Sequence, residues 1–265
     1  MERFFLSLLL LWSCCFGSAG AQDLEFRQAG KKPVRFSLAQ LKKQSPAVTV
    51  KLEGGVDNYW ALPLAPLLSK AYGPKLYGDD VTYVFVCKDG YRAPVKAGEL
   101  QKFSAYLAFA TSDGRPFQRG DKKLAPFYLI WDSQRYPQRT REASWPYQVV
   151  AVERASFSQA YAKVLPPPKA SPQVMRGFGL FRKHCLSCHQ INGQGGSMAI
   201  DLNAPFSVTE YIQKPYLAKL IEDPSTVRHG STMPALKVEP KLRKQAIQDI
   251  IAYLESKARQ RRGQK

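Results

Sequence analysis

The sequence predicts two domains: a mixed α+β first domain built mostly of strands, and an all-α second domain. The chain of 265 residues is long enough for two cores, and its 45% apolar and 23% charged residues are typical of globular protein. A proline-rich stretch at residues 165–172 divides the chain unequally. Short runs of strand-forming residues precede this stretch, and apolar residues at helical spacing follow it.

The first residues have the features of a secretory signal peptide. An apolar run, Phe4–Trp12, is followed by Ala19-Gly20-Ala21, so residues 1–21 are expected to be removed before Gln22. This run is short for a bilayer span, and no later apolar run reaches membrane-spanning length. We therefore expect a soluble mature protein in the periplasm or another exported compartment.

Two cysteines near the N-terminus allow an alternative to cleavage before Gln22. Cys14 or Cys15 could carry a lipid anchor, although Trp12 is bulky where such sites usually have small residues. Cleavage before Gln22 leaves three cysteines, an odd number that is not a disulfide framework: Cys87, Cys185 and Cys188.

The net charge of +18 favours an acidic partner. A field of this size steers association with acidic proteins or anionic membrane surfaces. The alternative for any single run of charges is simple solubility. We expect a redox partner protein with an acidic surface, peripheral membrane association at most, and no nucleic-acid partner.

The predicted first domain covers residues 22–164. Its strand-forming runs alternate with turn signals such as Asp89-Gly90 and Asp113-Gly114. Among these runs are Ala47–Leu52, Val81–Cys87 and Tyr147–Val152. Residues 165–172 then contain three consecutive prolines, which favour an extended spacer.

The predicted second domain covers residues 173–265 and is helical. Its first helix is expected within Val174–His189, and its last from Pro240 to about Ala258. Residues 257–265 are expected to form a frayed basic tail. Apolar residues of the last helix form one stripe: Leu242, Ala246, Ile247, Ile250, Ile251 and Leu254. Two shorter signals lie between these helices, a capping box at Ser207–Glu210 and a helical run at Lys214–Asp223.

The segment Cys185-Leu186-Ser187-Cys188-His189 is a candidate site for the attachment of haem. Two thiols three positions apart can each form a thioether with a haem vinyl group, while the histidine that follows binds the iron. A redox dithiol of the thioredoxin kind would instead need a βαβ context. The sequence therefore predicts one covalently bound haem c, attached through Cys185 and Cys188, with His189 as an axial ligand.

Met233 is the predicted second axial ligand. A thioether opposite histidine raises the reduction potential, as electron carriers require. Met198 lies in a glycine-rich loop better suited to the haem propionates, and Met175 is expected to pack within a helix. His229 is the main competitor, although it and His184 are both expected to face solvent.

Residues 175–258 closely resemble the class I cytochrome c family. The resemblance implies that Gly177 lets the first helix cross the last one. It also implies a carbonyl hydrogen bond to the proximal imidazole from the place held by Ile200, where family members often have proline. The other matching positions are Phe181, Tyr253, Leu254, Asn192–Gly196, Asp201-Leu202 and Met233-Pro234-Ala235.

Residues 36–153 resemble, more weakly, the sulfite-oxidase type of molybdopterin-binding domain. That family binds molybdenum through a cysteine, and the corresponding region, Val48–Gly55, has none. Cys87 is expected to be a buried strand thiol, so the domain is predicted to lack the cofactor. The matching segments are Phe36–Leu38 with Leu41, Leu62–Leu68, Asp89–Tyr91, Gly114–Phe117 and Trp145–Tyr147.

The sequence therefore predicts an exported electron-transfer haemoprotein that is not itself an enzyme. One alternative is a molybdopterin-dependent oxidoreductase, or its subunit, with a fused cytochrome c domain. Another is a binding or assembly module whose haem acts as a redox sensor, for which a low potential or an open sixth position would be typical.

Overall fold

The computed structural model describes residues 23–52, 57–138 and 143–263. The predicted signal peptide, with Cys14 and Cys15, lies outside the described residues. Within the three described ranges, no helix combines the length and hydropathy needed to cross a lipid bilayer.

Most strands lie in the first part of the chain, and the longest helices lie in the second part. The strands are β1 (Asp23–Gln28), β2 (Val34–Ser37), β3 (Val48–Lys51), β4 (Asn58–Pro63), β5 (Thr82–Cys87), β6 (Arg92–Lys96), β7 (Ala105–Thr111), β8 (Gln118–Arg119), β9 (Lys122–Lys123), β10 (Tyr128–Trp131), β11 (Val149–Ala155), β12 (Gln190–Ile191) and β13 (Gln194–Gly195). The α-helices are α1 (Leu38–Gln44), α2 (Leu64–Tyr72), α3 (Ala97–Lys102), α4 (Phe157–Ala160), α5 (Pro172–His184), α6 (Val208–Tyr211), α7 (Lys214–Glu222) and α8 (Pro240–Arg262), with 3₁₀ turns at Ala162–Val164 and Pro224–Thr226.

Strands β8 and β9 form a two-stranded sheet in the first part of the chain, which is otherwise built on two larger sheets. One has five strands in the order β2-β1-β11-β5-β6, and the other has four in the order β10-β7-β4-β3. Only β1 and β11 pair in parallel among these strands. Apolar side chains from both sheets and from α1 and α2 share one core. The predicted strand-rich character of this part is confirmed, whereas its likeness to the sulfite-oxidase type stays a prediction.

Cys87 ends β5 inside this core. Its side chain is buried among apolar residues of both sheets, which confirms the prediction of a buried strand thiol. Burial raises the pKa of the thiol far above its ordinary value. A protonated, enclosed thiol is a packing group and a poor metal ligand.

Helices α5 and α8 cross at Gly177 and form the centre of the second part. A Cβ atom on Gly177 would lie 1.9 Å from the Asp249 carbonyl oxygen, so only glycine permits this approach. The predicted apolar stripe of α8 is largely confirmed, since Ala246, Ile250 and its other members are buried. Leu242 is the exception, because the first turn of α8 leaves it exposed.

The expected frayed tail is wrong as far as Arg262, because α8 continues to that residue. Lys257 is 3% exposed, and its ammonium group donates to the Leu165 carbonyl at 2.8 Å and to the Gln260 side chain. Arg261 and Arg262 pair with Glu210. Basic residues that looked like a solvated tail therefore fasten the helix to its neighbours.

The proline-rich segment is not a free spacer. Tyr253 donates its hydroxyl to the Val164 carbonyl at 2.6 Å, next to the Lys257 bond at Leu165. Ser171 then caps α5 by accepting from the Val174 amide. Prolines favour an extended backbone. The start of this segment is nevertheless held in place, because the carbonyls of Val164 and Leu165 accept hydrogen bonds from side chains of α8.

One apolar cluster joins the two parts of the chain. Val84 of β5, Tyr161 and Val164 are buried with residues of α5 and α8, among them Phe181 and Tyr253. The helical part therefore completes its core with side chains from the strand-rich part.

We expect Lys257 to make stability rise with pH. Burial lowers its pKa from the ordinary 10.5 to about 8. Between these values the unfolded chain binds the proton that the folded chain has lost, so the free energy of unfolding rises from pH 8 towards pH 10.5. Lys257→Met should remove this rise, as measured by urea unfolding at several pH values. Lys241→Met, at an exposed position of the same helix, should keep it; parallel profiles for parent and Lys257→Met would contradict the assignment.

Candidate functional site

Cys185, Cys188 and His189 lie in one tight turn at the end of α5. The Cys185 amide donates to the Phe181 carbonyl, and the amides of Cys188 and His189 both donate to the Cys185 carbonyl, at 3.1 and 2.9 Å. Both cysteines are free thiols. The turn, which we call the attachment turn (residues 185–189), therefore presents two sulfurs and one imidazole within five residues.

The thiols of the attachment turn have raised pKa values. Burial, with a smaller effect of neighbouring Cys188, raises the pKa of Cys185 to about 12. Burial, with the nearby Asp89 carboxylate, also raises the pKa of Cys188. Redox-active dithiols depend on a lowered pKa that supplies a thiolate. The electrostatics of this turn therefore disfavour the thioredoxin kind of chemistry and suit sulfurs that are to be capped covalently.

The His189 ring is oriented by a backbone carbonyl. Its Nδ1 lies 2.9 Å from the Ile200 oxygen, which confirms the hydrogen bond predicted for this place. A proton on Nδ1 leaves the Nε2 lone pair free, as metal-binding histidines require. Burial lowers the pKa of the ring, so the neutral form is favoured.

The loop after the attachment turn approaches it closely. A Cβ on Gly196 would lie 1.8 Å from the Ser187 carbonyl oxygen, and Gly195 has a φ of +132°. The Asp201 carboxylate holds the same loop by accepting from several backbone amides, including that of Gly193 at 2.7 Å. In the sequence, Asp201 stands out only as a matching position of the cytochrome c resemblance. The spacing Asp201-x-Asn203 is an available signal for such a turn, because an aspartate can accept from the amide two residues later.

Met233 lies in the loop between Pro224–Thr226 and α8. Its side chain is 38% exposed, and its amide donates to the Ser231 hydroxyl. Burial of Leu236, three residues later, anchors the loop. The described contacts do not bring Met233 to His189, so axial ligation by Met233 stays a prediction. His229 is exposed in the same loop, as expected.

Two expectations about neighbouring residues are wrong. Met175 was expected to pack, but it is 48% exposed because it lies on the outer face of α5. His184 was expected to face solvent, but it is half-buried, and burial lowers its pKa.

The residues present fit a covalently bound haem. Two free thiols and a neutral imidazole with an available Nε2 are the donors this group needs. Large apolar side chains that normally avoid water are exposed on the loops that follow the turn: Met198 at 47%, Ile200 at 59% and Met233 at 38%. A porphyrin is an apolar plate that such side chains could cover.

The first part of the chain also contacts the attachment turn, which sequence reasoning missed. The Arg92 amide donates to the Ser187 carbonyl, and the Ser197 amide donates to the Gly90 carbonyl, each at 2.9 Å. Asp89-Gly90 was recognised as a turn, but nothing in the sequence indicated what it faces.

Comparison with known families gives an identity for the second part. Residues 174–258 match the family model described as Cytochrome c. The C-terminal part is therefore a cytochrome c domain, in agreement with the resemblance found in the sequence, and this family implies a covalently bound haem that carries electrons. No curated protein matches the chain.

Proposed function

We propose that the chain is an exported carrier of single electrons, with one haem c attached through Cys185 and Cys188 and bound axially by His189 and Met233. The observation that carries the proposal is the attachment turn, whose two free thiols and oriented imidazole lie inside the matched domain. When bound, the haem supplies an iron that alternates between the ferric and ferrous states.

The residues around the iron are proposed to keep small the structural reorganisation that accompanies the change between the ferric and ferrous states. The bond from His189 to the Ile200 carbonyl keeps the ring in one tautomer and one orientation. Leu236 anchors the loop that offers Met233. Occupied axial positions leave no site for a substrate, which suits electron transfer better than ligand chemistry.

We further propose export and an acidic redox partner. The support is the apolar N-terminal run and the charge of +18. Export also agrees with the proposed haem, because haem is joined to cysteines outside the cytoplasm. Association with that partner should weaken as salt is raised, because screening shortens the reach of charge.

Covalent attachment is the direct test of the function. The protein is produced in a host that attaches haem c, then denatured and extracted with acidic organic solvent. We expect one haem per chain to stay with the polypeptide, and both thiols of the turn to resist alkylation. Pigment that is released freely, with both thiols reactive, would overturn the proposal.

Met233→Ala tests the distal ligand. We expect loss of the weak sulfur-to-iron band of the oxidised protein and a fall in reduction potential on the order of 0.1 V, because axial ligands set the potential over a wide range. His229→Ala, in the same loop, serves as the control and should keep both properties. A band that survives in Met233→Ala would show that another sulfur binds the iron. A parent without the band, whose low-spin spectrum is lost in His229→Ala, would identify His229 as the ligand.

The first domain is proposed to carry no cofactor and to act by docking. The burial and raised pKa of Cys87 argue against a molybdenum thiolate at this position. Stoichiometric molybdenum in protein from a competent host, lost in Cys87→Ala, would favour the oxidoreductase instead.

A further inference from the structure

The turn between β5 and β6 lies against the attachment turn. This β5–β6 turn, residues 88–91, is followed by Arg92, whose amide donates to the Ser187 carbonyl at 2.9 Å. On its other side, the Gly90 carbonyl accepts from the Ser197 amide at 2.9 Å. The two backbone bonds join the strand-rich part to the attachment turn and to the loop behind it.

Gly90 is in a conformation and a space that exclude a larger residue. Its φ is +89°, and a Cβ there would lie 2.6 Å from the Ser197 hydroxyl and 2.9 Å from the Met198 amide nitrogen. Gly114, in the other Asp-Gly turn of this part, has a φ of +76° but no atom within 4 Å of its added Cβ. The close contact is therefore specific to the β5–β6 turn.

The Tyr91 side chain of the turn is partly buried and packs against the apolar core of the strand-rich part. Burial raises the pKa of Tyr91, and the nearby Ser187 side chain lowers it to a smaller extent. The Asp89 carboxylate contributes to the raised pKa of Cys188. The backbone bond from the Arg92 amide to the Ser187 carbonyl places the turn one residue from Cys188, which carries the second sulfur of the attachment turn.

The turn is held firmly on its own sheet. The Arg92 guanidinium pairs with Glu153 of β11, and Gly90 and Cys87 close the turn with a backbone bond of 3.1 Å. Both carboxylate oxygens of Glu153 take part in this pairing. The position of the turn over the attachment turn is thus fixed by the strand-rich domain.

We propose that the β5–β6 turn is a fixed cap on the Cys188 side of the haem, and that Gly90 and Tyr91 are positioning residues for the haem site. This inference rests on the proposed function, because it concerns the haem carried by Cys185 and Cys188. The cap keeps water from the porphyrin edge joined to Cys188. A drier site disfavours the extra positive charge of the ferric state, so the cap raises the reduction potential. Partner proteins then exchange electrons at another edge.

The test compares Gly90→Ala with Gly114→Ala in the full haem-loaded chain. Both variants introduce a side chain at a left-handed glycine, but only Gly90→Ala pushes the cap from Ser197. We expect Gly90→Ala to have a lower midpoint potential, faster exchange of the Ser197 amide hydrogen, and faster oxidation by ferricyanide. Gly114→Ala should match the parent in all three. Equal potentials in the two variants would overturn the proposal, even if amide exchange accelerated.

A second pair keeps the test decisive if Gly90→Ala does not fold. Tyr91→Phe keeps the ring and removes the hydroxyl that lies near Ser187, whereas Tyr128→Phe removes a buried hydroxyl from the other sheet. Only Tyr91→Phe should lower the potential, and equal potentials would again overturn the proposal.

The haem content of denatured protein is measured separately. If the parent carries no covalent haem, the proposed function fails, while protection of the Ser197 amide still reports whether the contact exists.

Discussion

Gly177→Ala is expected to disrupt the packing of α5 on α8 and to destabilise the chain by at least about 3 kcal/mol. The added Cβ would lie 1.9 Å from the Asp249 carbonyl oxygen and 2.5 Å from its carbonyl carbon. Both are backbone atoms in the middle of a helix, so no side chain can turn aside to relieve the overlap. The helices would have to separate, and the core around Tyr253 would open with them. Urea unfolding followed by circular dichroism measures the loss.

Gly179→Ala is the matched control for this prediction. Gly179 lies in the same helix, and an added Cβ there meets no atom within 4 Å. Alanine favours helix over glycine by up to about 1 kcal/mol, so this variant should be slightly more stable than the parent. Similar stabilities for the Gly177 and Gly179 variants would show that the helices do not cross as described.

Replacing Cys185 and Cys188 together by serine is expected to abolish covalent haem attachment. Serine keeps the size of the side chain but cannot form the thioether, so the mass of the denatured polypeptide should fall to that of the chain alone. Each single variant retains one sulfur and should keep a weaker, single attachment. The readout is the mass and visible absorbance of the denatured protein.

Cys87→Ser serves as the control for the cysteine pair. Its thiol is buried at the end of β5, on the sheet side of the β5–β6 turn. We expect this variant to lose some stability, because a hydroxyl is buried in an apolar core, and to keep its full haem. Haem that stayed attached to the double variant, or was lost only from Cys87→Ser, would place the attachment elsewhere.

Features that depend on neighbouring residues were predictable from the sequence. The attachment turn is a five-residue motif whose chemistry does not need distant contacts. The hydrogen bond from His189 to residue 200 was implied by the family resemblance, and it does not need proline at that place because a carbonyl is present whatever the side chain. The start of α8 at Pro240 followed from the preference of proline for the first helical turn.

Features that depend on long-range packing were not predictable. A lysine near the end of a basic helix usually faces solvent, yet Lys257 is buried because the Leu165 carbonyl offers it a partner. Met175 lies in a helix that has a buried face, yet it is 48% exposed because it lies on the outer face of α5. The contact of Gly90 with Ser197 joins positions far apart in the chain, and no periodicity reports such a pair.

The apolar cluster that continues from β5 into the helices bears on how the protein can be divided. Cutting the chain at residue 173 would remove Val84, Tyr161 and Val164 from the buried cluster that also holds Phe181 and Tyr253. The two parts of the chain therefore share one apolar cluster, and a division at residue 173 would cut through it.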